Sequence, residues 1–268
     1  MTISNMLIVG FGNMTGAMVQ GWLRAGMPPA GFTVYHPRGK EVPEGVSLVT
    51  DWPGDAFDAV LLGVKPYMLD DVAPGLADAV GAKTIVISVL AGVELASLRA
   101  RFPQAGAVVR LMPNLACALG KSPNGLVGEG LDDTARAIVT HLAEMLGSAE
   151  WLAEESQFDL VTALAGSGPG FVYRFIDALG IAATRLGLPE EQSARLAIQM
   201  VEGASALAAA SGHSPGELAR RVASPGGMTQ KGLDVLDDGE ALVRLMVDTL
   251  TAARDRGMEM AEEAPKKG

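Results

Sequence analysis

The chain has 268 residues, of which 49% are hydrophobic and 19% charged, a composition typical of a folded protein rather than a disordered one. Its formal net charge of -10 opposes binding to phosphate backbones and anionic membranes, so neither nucleic acid nor a membrane is an expected partner. One cysteine cannot form an internal disulfide, and we expect a cytoplasmic protein.

The first residues predict a β-strand rather than a signal peptide. The start MTISNMLIVGFG has no basic segment and no long apolar stretch before its first glycine. Nowhere does the chain contain the roughly 18 to 20 uninterrupted apolar residues that cross a bilayer. A membrane-spanning protein is therefore not expected.

Short apolar runs typical of buried strands recur through the first half of the chain. Amphipathic stretches of helical length separate several of them. This alternation predicts βαβ units, so we expect residues 1–155 to form an α/β domain with a doubly wound, mainly parallel sheet. The runs are 7–9, 32–35, 59–62, 84–87 and 107–109.

Residues 156–268 lack such runs and are rich in Ala, Leu, Glu and Arg. Short Gly/Pro segments divide them, and this pattern predicts an all-α domain. Ser214-Pro215-Gly216-Glu217 has the form of a capping box with proline at the first helical position. Helices of this composition can bury their apolar faces in one core or against a second copy.

A glycine-rich turn follows the first predicted strand. Gly10 and Gly12 end the strand and Asn13-Met14 open a helix, whose N-terminal N–H groups can bind a pyrophosphate. Thr15 stands where the dinucleotide fingerprint has Gly or Ala, so the match is imperfect. The alternative is a turn that needs glycine for its backbone and binds nothing. The βαβ context favours a dinucleotide site.

The segment after the second predicted strand distinguishes the two nicotinamide cofactors. An NAD site has an acidic residue here for the ribose hydroxyl groups, whereas this chain has Tyr35-His36-Pro37-Arg38. His36 and Arg38 are available for a 2′-phosphate. The sequence therefore predicts NADPH, with NADH possible.

Further loops follow strands and should lie at the same carboxyl edge of the sheet, where ligands of such sheets bind. We expect them to contact the nicotinamide or its ribose, although Lys65 could equally be a solvated loop lysine. The predicted contacts are Val64, Lys65, Pro66, Ala91, Gly92 and Asn114.

Five segments, spread over nearly the whole chain, resemble the pyrroline-5-carboxylate reductases of proline biosynthesis. They are 10–14, 64–66, 110–114, 159–169 and 224–229, and the last two are the most specific. The resemblance implies a Rossmann-type domain followed by a helical domain that interlocks with a second subunit, in a homodimer or a larger ring. It also implies reduction of 1-pyrroline-5-carboxylate to L-proline with NAD(P)H. Gly170 and Met228 depart from the family pattern.

The segment from Ser224 to Thr229 precedes a predicted helix. Its small residues can expose N–H groups to an anion, which the helix dipole would also stabilise. A Pro-Gly-Gly turn with a threonine cap is the alternative. The resemblance implies that this loop holds the substrate carboxylate and that the Thr229 hydroxyl bonds the ring nitrogen. The predicted substrate contacts are Ser224, Gly226, Gly227, Met228 and Thr229, with Thr229 as the catalytic residue.

Gly166-Ser167-Gly168-Pro169-Gly170 interrupts a helical pattern at a cost of roughly 1 kcal/mol per glycine and about 3 for proline. One interpretation is a kink or a close helix crossing. The other, which the resemblance supports, is that small side chains make room for the nicotinamide and the substrate.

Hydride transfer to a C=N bond needs orientation and polarisation rather than a protein nucleophile. The histidines His36, His141 and His213 lie in unrelated segments, and no metal-ligand spacing is present, so no metal is expected. Cys117, flanked by alanines, is interpreted as a packing residue.

Two other functions remain open. A β-hydroxyacid dehydrogenase shares the two-domain plan but needs a lysine after the glycine element, where Phe171-Val172-Tyr173-Arg174 stands instead. A non-catalytic, dinucleotide-sensing dimer would keep the fold and lose the chemistry. Thr229 and its loop argue against that second reading.

Overall fold

The structure is a computed structural model that describes residues 3–263. Residues 1, 2 and 264–268, the last of which belong to the predicted helical domain, lie outside the described residues. The chain divides into two compact units, one comprising 3–167 with 252–263 and the other 168–251. The functional boundary near residue 155 stays a prediction.

An eight-stranded sheet lies at the centre of the first unit. Its strand order is β3-β2-β1-β4-β5-β6-β7-β8, and neighbours are parallel except for the antiparallel pair β6 and β7. The strands are β1 (Met6–Val9), β2 (Phe32–Tyr35), β3 (Ser47–Val49), β4 (Ala59–Leu62), β5 (Ile85–Ser88), β6 (Ala107–Met112), β7 (Ser122–Glu129) and β8 (Gly147–Trp151). The predicted doubly wound, mainly parallel sheet is confirmed.

The central strands are buried on both faces. Along β1, Leu7 and Val9 join one hydrophobic cluster, whereas Met6 and Ile8 join the other. Such two-sided burial explains why these strands are continuous apolar runs in the sequence. Because the strand order reverses between β1 and β4, a crevice is expected at the carboxyl ends of these strands.

Five α-helices accompany the sheet. They are α1 (Asn13–Arg24), α2 (Leu69–Val72), α3 (Leu95–Arg101), α4 (Asp133–Leu146) and α5 (Phe158–Val161). The indole Nε1 of Trp22 donates to the carbonyl of Leu142 at 2.9 Å, which joins α1 to α4. A π-helical turn, Thr162–Gly166, follows α5.

The second unit is helical, as predicted. Its helices are α6 (Gly168–Arg185), α7 (Glu190–Ala210), α8 (Pro215–Val222), α9 (Met228–Asp237) and the first part of α10 (Ala241–Glu263), which ends in the first unit. The predicted capping box of α8 is confirmed, since Ser214 N donates to Glu217 Oε2 at 2.8 Å and Glu217 N donates to Ser214 Oγ at 3.3 Å. Within 3–263 no helix is long and apolar enough to cross a membrane.

Much of the apolar surface of the second unit faces solvent. Helix α6 has no buried residue, and α7 buries only Ser193 and Ala197. Side chains that a globular core would cover are about half exposed or more. Examples are Val172, Tyr173, Phe175, Ile198, Leu207, Val243, Leu245 and Val247. This exceeds the scattered apolar exposure that is normal for a monomer.

Candidate active site

A cavity of about 1250 Å³ lies in the first unit, at the carboxyl edge of the sheet. Drug-sized ligands occupy pockets of roughly 300 to 1,000 Å³, so this one has room for an extended dinucleotide. Ten of the predicted cofactor residues line it: Gly10, Gly12, Asn13, Met14, His36, Arg38, Val64, Lys65, Pro66 and Ala91. The structure thus brings together side chains from loops after four different strands.

The turn between β1 and α1 has no space for a larger residue at Gly10. Gly10 has a φ of +90°, and a Cβ atom there would lie 2.8 Å from the backbone nitrogen of Val64. Gly12 is the N-cap of α1, so the free N–H groups of this helix start at the cavity wall. A phosphate group would be stabilised there by hydrogen bonds and by the helix dipole.

Thr15, the imperfect fingerprint position, closes this turn. Its hydroxyl oxygen accepts a hydrogen bond from Gly12 N at 3.0 Å and donates to the carbonyl of Gly10 at 2.9 Å. The side chain is 1% exposed. Threonine therefore satisfies two backbone groups that a glycine or alanine would leave to other partners.

A basic patch marks one part of the cavity. His36 and Arg38 line it as predicted, and Lys40 joins them. The imidazole Nδ1 of His36 accepts from the backbone N of Arg38 at 3.4 Å, which keeps the ring close to its own loop. These side chains can together neutralise a phosphate group.

An aromatic pair adjoins the basic patch. The rings of Tyr35 and Trp52 stack with centroids 3.7 Å apart, and both residues line the cavity. Burial, and to a lesser degree the nearby Asp51 carboxylate, raises the pKa of Tyr35, so its phenol is neutral at pH 7. The pair gives the wall a flat apolar surface.

The loop after β5 is held at both ends. Ser88 Oγ accepts from Leu90 N at 3.2 Å, and the Glu155 carboxylate accepts from Leu95 N at 2.8 Å at the start of α3. The same carboxylate pairs with the buried Arg110 at 2.7 Å. Gly92, predicted as a cofactor contact, is buried with a φ of +72° and does not line the cavity. That contact stays a prediction.

Asn114 also lies outside the cavity wall, although its neighbour Leu115 is part of it. The Asn114 side chain turns inward, where Oδ1 accepts from Ala116 N and Nδ2 donates to the carbonyl of Ala165, both at 2.9 Å. Contact between Asn114 and the cofactor stays a prediction.

The predicted substrate loop belongs to the second unit. Gly227 N donates to the carbonyl of Ser224 at 2.9 Å, Gly226 has a φ of +67°, and Gly227 is the N-cap of α9. Met228 and Thr229 are exposed in the first turn of that helix. The N–H groups of this turn are available to an anion, whereas contact with a substrate stays a prediction.

Several residues of the cavity carried no signal in the sequence. Lys40 follows the predicted Arg38 by two positions and could have been included with it, whereas the remaining residues reach the cavity only through the fold. Among them are Trp52, Met68, Asp71, Val72, Leu115 and Met260. Met260 comes from the end of α10, almost 150 residues beyond any other part of the wall.

Cys117 is fully buried. Burial raises the pKa of its thiol to about 11, which leaves it protonated and a poor nucleophile near neutral pH. Among residues 3–263, no three His, Cys, Asp or Glu side chains are grouped so that they could hold a metal ion.

Comparison with known proteins finds relatives along the whole chain. A family model described as pyrroline-5-carboxylate reductase dimerisation matches residues 155–260, and one described as NADP oxidoreductase, coenzyme F420-dependent, matches residues 5–92. A pyrroline-5-carboxylate reductase of Pseudomonas aeruginosa is 34% identical over 98% of this chain and 99% of its own length. The chain belongs to the pyrroline-5-carboxylate reductase family. The predicted family is thereby confirmed.

Solved structures of the family share the fold. A pyrroline-5-carboxylate reductase of Coxiella burnetii is 30% identical, with a TM-score of 0.89 over 97% of this chain and 99% of the other. A Plasmodium falciparum pyrroline carboxylate reductase, solved with NADP bound, is 23% identical, with a TM-score of 0.80 over 96% of this chain and 98% of the other. Both likenesses agree with the predicted fold class.

Proposed function

We propose that this chain reduces 1-pyrroline-5-carboxylate to L-proline with NADPH, a reaction of proline biosynthesis. The observation that carries the proposal is identity of 34% to a curated pyrroline-5-carboxylate reductase over nearly the full length of both chains. The two alternatives, a β-hydroxyacid dehydrogenase and a non-catalytic dinucleotide sensor, have no comparable support.

The first unit binds the cofactor. The start of α1, with Gly10, Gly12, Asn13 and Met14, holds the pyrophosphate, and the basic patch of His36, Arg38 and Lys40 holds the 2′-phosphate. This patch favours NADPH over NADH because a phosphate offers it a charged partner that a ribose hydroxyl does not. The relative with NADP bound supports the same choice.

The loops after β4 and β5 bind the nicotinamide end of the cofactor. We assign Val64, Lys65, Pro66 and Ala91 to it because they line the cavity. Gly92 stays a predicted contact, whereas the side chain of Asn114 is already bonded to Ala116 N and the carbonyl of Ala165. When bound, NADPH supplies the hydride. The chain contributes orientation of the reacting atoms, the exclusion of water and polarisation of the imine.

The substrate binds at the loop from Ser224 to Thr229. The N–H groups of Gly226 and Met228, together with the dipole of α9, hold the carboxylate, while Gly227 N stays bonded to the carbonyl of Ser224. The Thr229 hydroxyl donates a hydrogen bond to the ring nitrogen, which takes up a proton supplied from solvent through this hydroxyl as the neighbouring ring carbon accepts the hydride. This withdraws electrons from the C=N bond without a strong acid.

The functional unit is a homodimer that can assemble into a larger ring, and residues 156–268 provide its dimerisation and substrate domain. Support comes from the matched dimerisation model and from the apolar side chains that a single copy leaves exposed. A second copy covering them would recover about 25 cal/mol for each Å² buried. A cytoplasmic location is part of this proposal.

The test is NADPH oxidation by purified protein with 1-pyrroline-5-carboxylate. We expect saturable turnover that falls about 100-fold in Thr229→Ala, as for loss of one polarising donor, and persists in Thr229→Ser. Lack of turnover by folded wild type would refute the proposal. NADP⁺ reduction with a hydroxyacid would indicate a dehydrogenase, and tight NADPH binding without turnover of any cyclic imine would indicate a sensor.

A further inference from the structure

The carbonyl of Ala165 lies where a helix would normally supply a donor. Its partner in an α-helix would be the N–H of residue 169, but Pro169 has none. The chain forms a π-helical turn at this point, with Ser167 N donating to the carbonyl of Thr162 at 2.9 Å. A partly buried carbonyl without a donor is unfavourable, so another group has to satisfy it.

Asn114 provides that donor. Its Nδ2 atom lies 2.9 Å from the Ala165 oxygen, and the residue is 5% exposed, so water competes little for the bond. The side chain is fixed from the other side, because Oδ1 accepts from Ala116 N at 2.9 Å. The backbone N of Asn114 also donates to Ser122 Oγ at 2.9 Å. The amide therefore has one orientation.

Strand β6, which ends two residues before Asn114, also contacts this turn. Met112, two residues before Asn114, faces Gly166, where a Cβ atom would lie 3.3 Å from the Met112 sulfur. Leu115, the next residue after Asn114, lines the cofactor cavity. One short stretch of chain thus contacts the π-helical turn with one residue and the cavity with its neighbour.

We infer that Asn114 is a positioning residue for hydride transfer: its amide replaces the helical donor that Pro169 lacks and fixes the turn 162–166 beside the segment 112–115, whose Leu115 lines the cavity. It acts through Ala165 rather than as a ligand of the cofactor. π-Helical turns are frequent at functional sites, and an unfixed turn would let the Gly166–Gly170 segment drift. The kinetic part of this inference rests on the proposed function.

Asn114→Asp isolates the donor, since an aspartate keeps the oxygen that accepts from Ala116 N and replaces Nδ2 with a second oxygen. We expect kcat to fall at least 10-fold at pH 7.5, with the dissociation constant of NADPH changed less than 2-fold. A protonated aspartic acid can again donate to Ala165. The ratio of variant to wild-type kcat should therefore rise as the pH is lowered, which loss of packing alone would not produce.

The Pro169→Ala variant provides a second test, because it restores an N–H group four residues after Ala165. The Asn114→Asp substitution should cost at least 3-fold less in kcat in the Pro169→Ala background than in the wild type. Amide exchange of 162–168, measured without substrate, should be faster in Asn114→Asp and slower again in the double variant.

A dissociation constant of NADPH that rises with the loss of kcat would make Asn114 a cofactor ligand and overturn the inference. So would an unchanged kcat, a pH-independent ratio or additive effects in the double variant. If wild type binds NADPH but reduces no imine, the proposed function fails. The exchange measurement then still decides, since unchanged exchange in Asn114→Asp refutes the role of the amide.

Discussion

Thr15 and Gly63 are fitted to each other: a Cβ atom on Gly63 would lie 2.1 Å from the Cγ2 methyl of Thr15. A threonine at the third fingerprint position brings a methyl group as well as a hydroxyl to the base of α1. The neighbouring strand end accommodates the methyl by carrying glycine. Gly63, in the loop after β4, thus compensates for the threonine at the third fingerprint position.

Gly63→Ala should destabilise the protein by about 1 to 3 kcal/mol, the usual cost of overpacking, and weaken NADPH binding by displacing the start of α1. Thr15→Ser removes the methyl and keeps the hydroxyl, so the double variant should recover a large part of the lost stability. Denaturant unfolding of the four proteins measures this. Additive losses would contradict the fit between these residues.

The basic patch should set cofactor preference. Replacing Arg38 and Lys40 together with alanine should raise the KM for NADPH about 10- to 100-fold, as expected for loss of charge-assisted bonds, and leave the KM for NADH nearly unchanged. Lys83→Ala, at an exposed lysine before β5, is the matched control. Equal effects on both cofactors would show that the patch does not read the 2′-phosphate.

The exposed apolar side chains of the second unit should stabilise a dimer. Val243 and Val247 lie four residues apart on α10, both more than half exposed, so they share one helix face. Changing both to aspartate should shift the protein to monomers at micromolar concentration in sedimentation equilibrium. His213→Asp, at an exposed turn, should leave the association intact. A wild type that sediments as a monomer would rule out this role.

Cys117 should be unreactive in the folded protein. Its pKa is raised from 9.0 to about 11 by burial, so a thiol reagent at pH 8 should label it only as fast as the protein opens. Because the raised pKa favours the protonated thiol, its contribution to stability is complete below pH 9 and is lost as the pH rises toward 11. Cys117→Ala should therefore flatten the fall of unfolding free energy over that window. Rapid labelling of native protein would contradict the buried position.

The buried parallel strands could be predicted from the sequence because two-sided burial leaves continuous apolar runs. Strand β7 could not, since it contains Pro123, Asn124 and Gly125. Pro123 lies outside the part of β7 that pairs with β6, and it pairs only with β8. Asn124 Nδ2 donates to the carbonyls of Ala143 and Ser148. These stabilising contacts are tertiary and leave no local pattern.

Strands β3 and β8 could not be predicted from the sequence either, because neither is a continuous buried apolar run. β3 is a three-residue edge strand with two exposed side chains, and β8 begins at Gly147, where a Cβ atom would lie 2.0 Å from the carbonyl oxygen of Ser122. Cavity residues next to strand ends could be predicted from the sequence, because the topology of a parallel sheet brings the ends of its strands to one edge. Met260 could not be predicted, because only the return of α10 to the first unit places it at the cavity.

The most direct test of hydride transfer uses NADPH that carries deuterium at both C4 positions, with 1-pyrroline-5-carboxylate, and follows the product by mass spectrometry and chiral analysis. Hydride transfer to the C=N bond places one deuterium on the proline carbon that was doubly bonded to nitrogen. We expect L-proline with that single label and one NADP⁺ formed for each proline. Proline without the label, or NADPH consumed without proline, would contradict it.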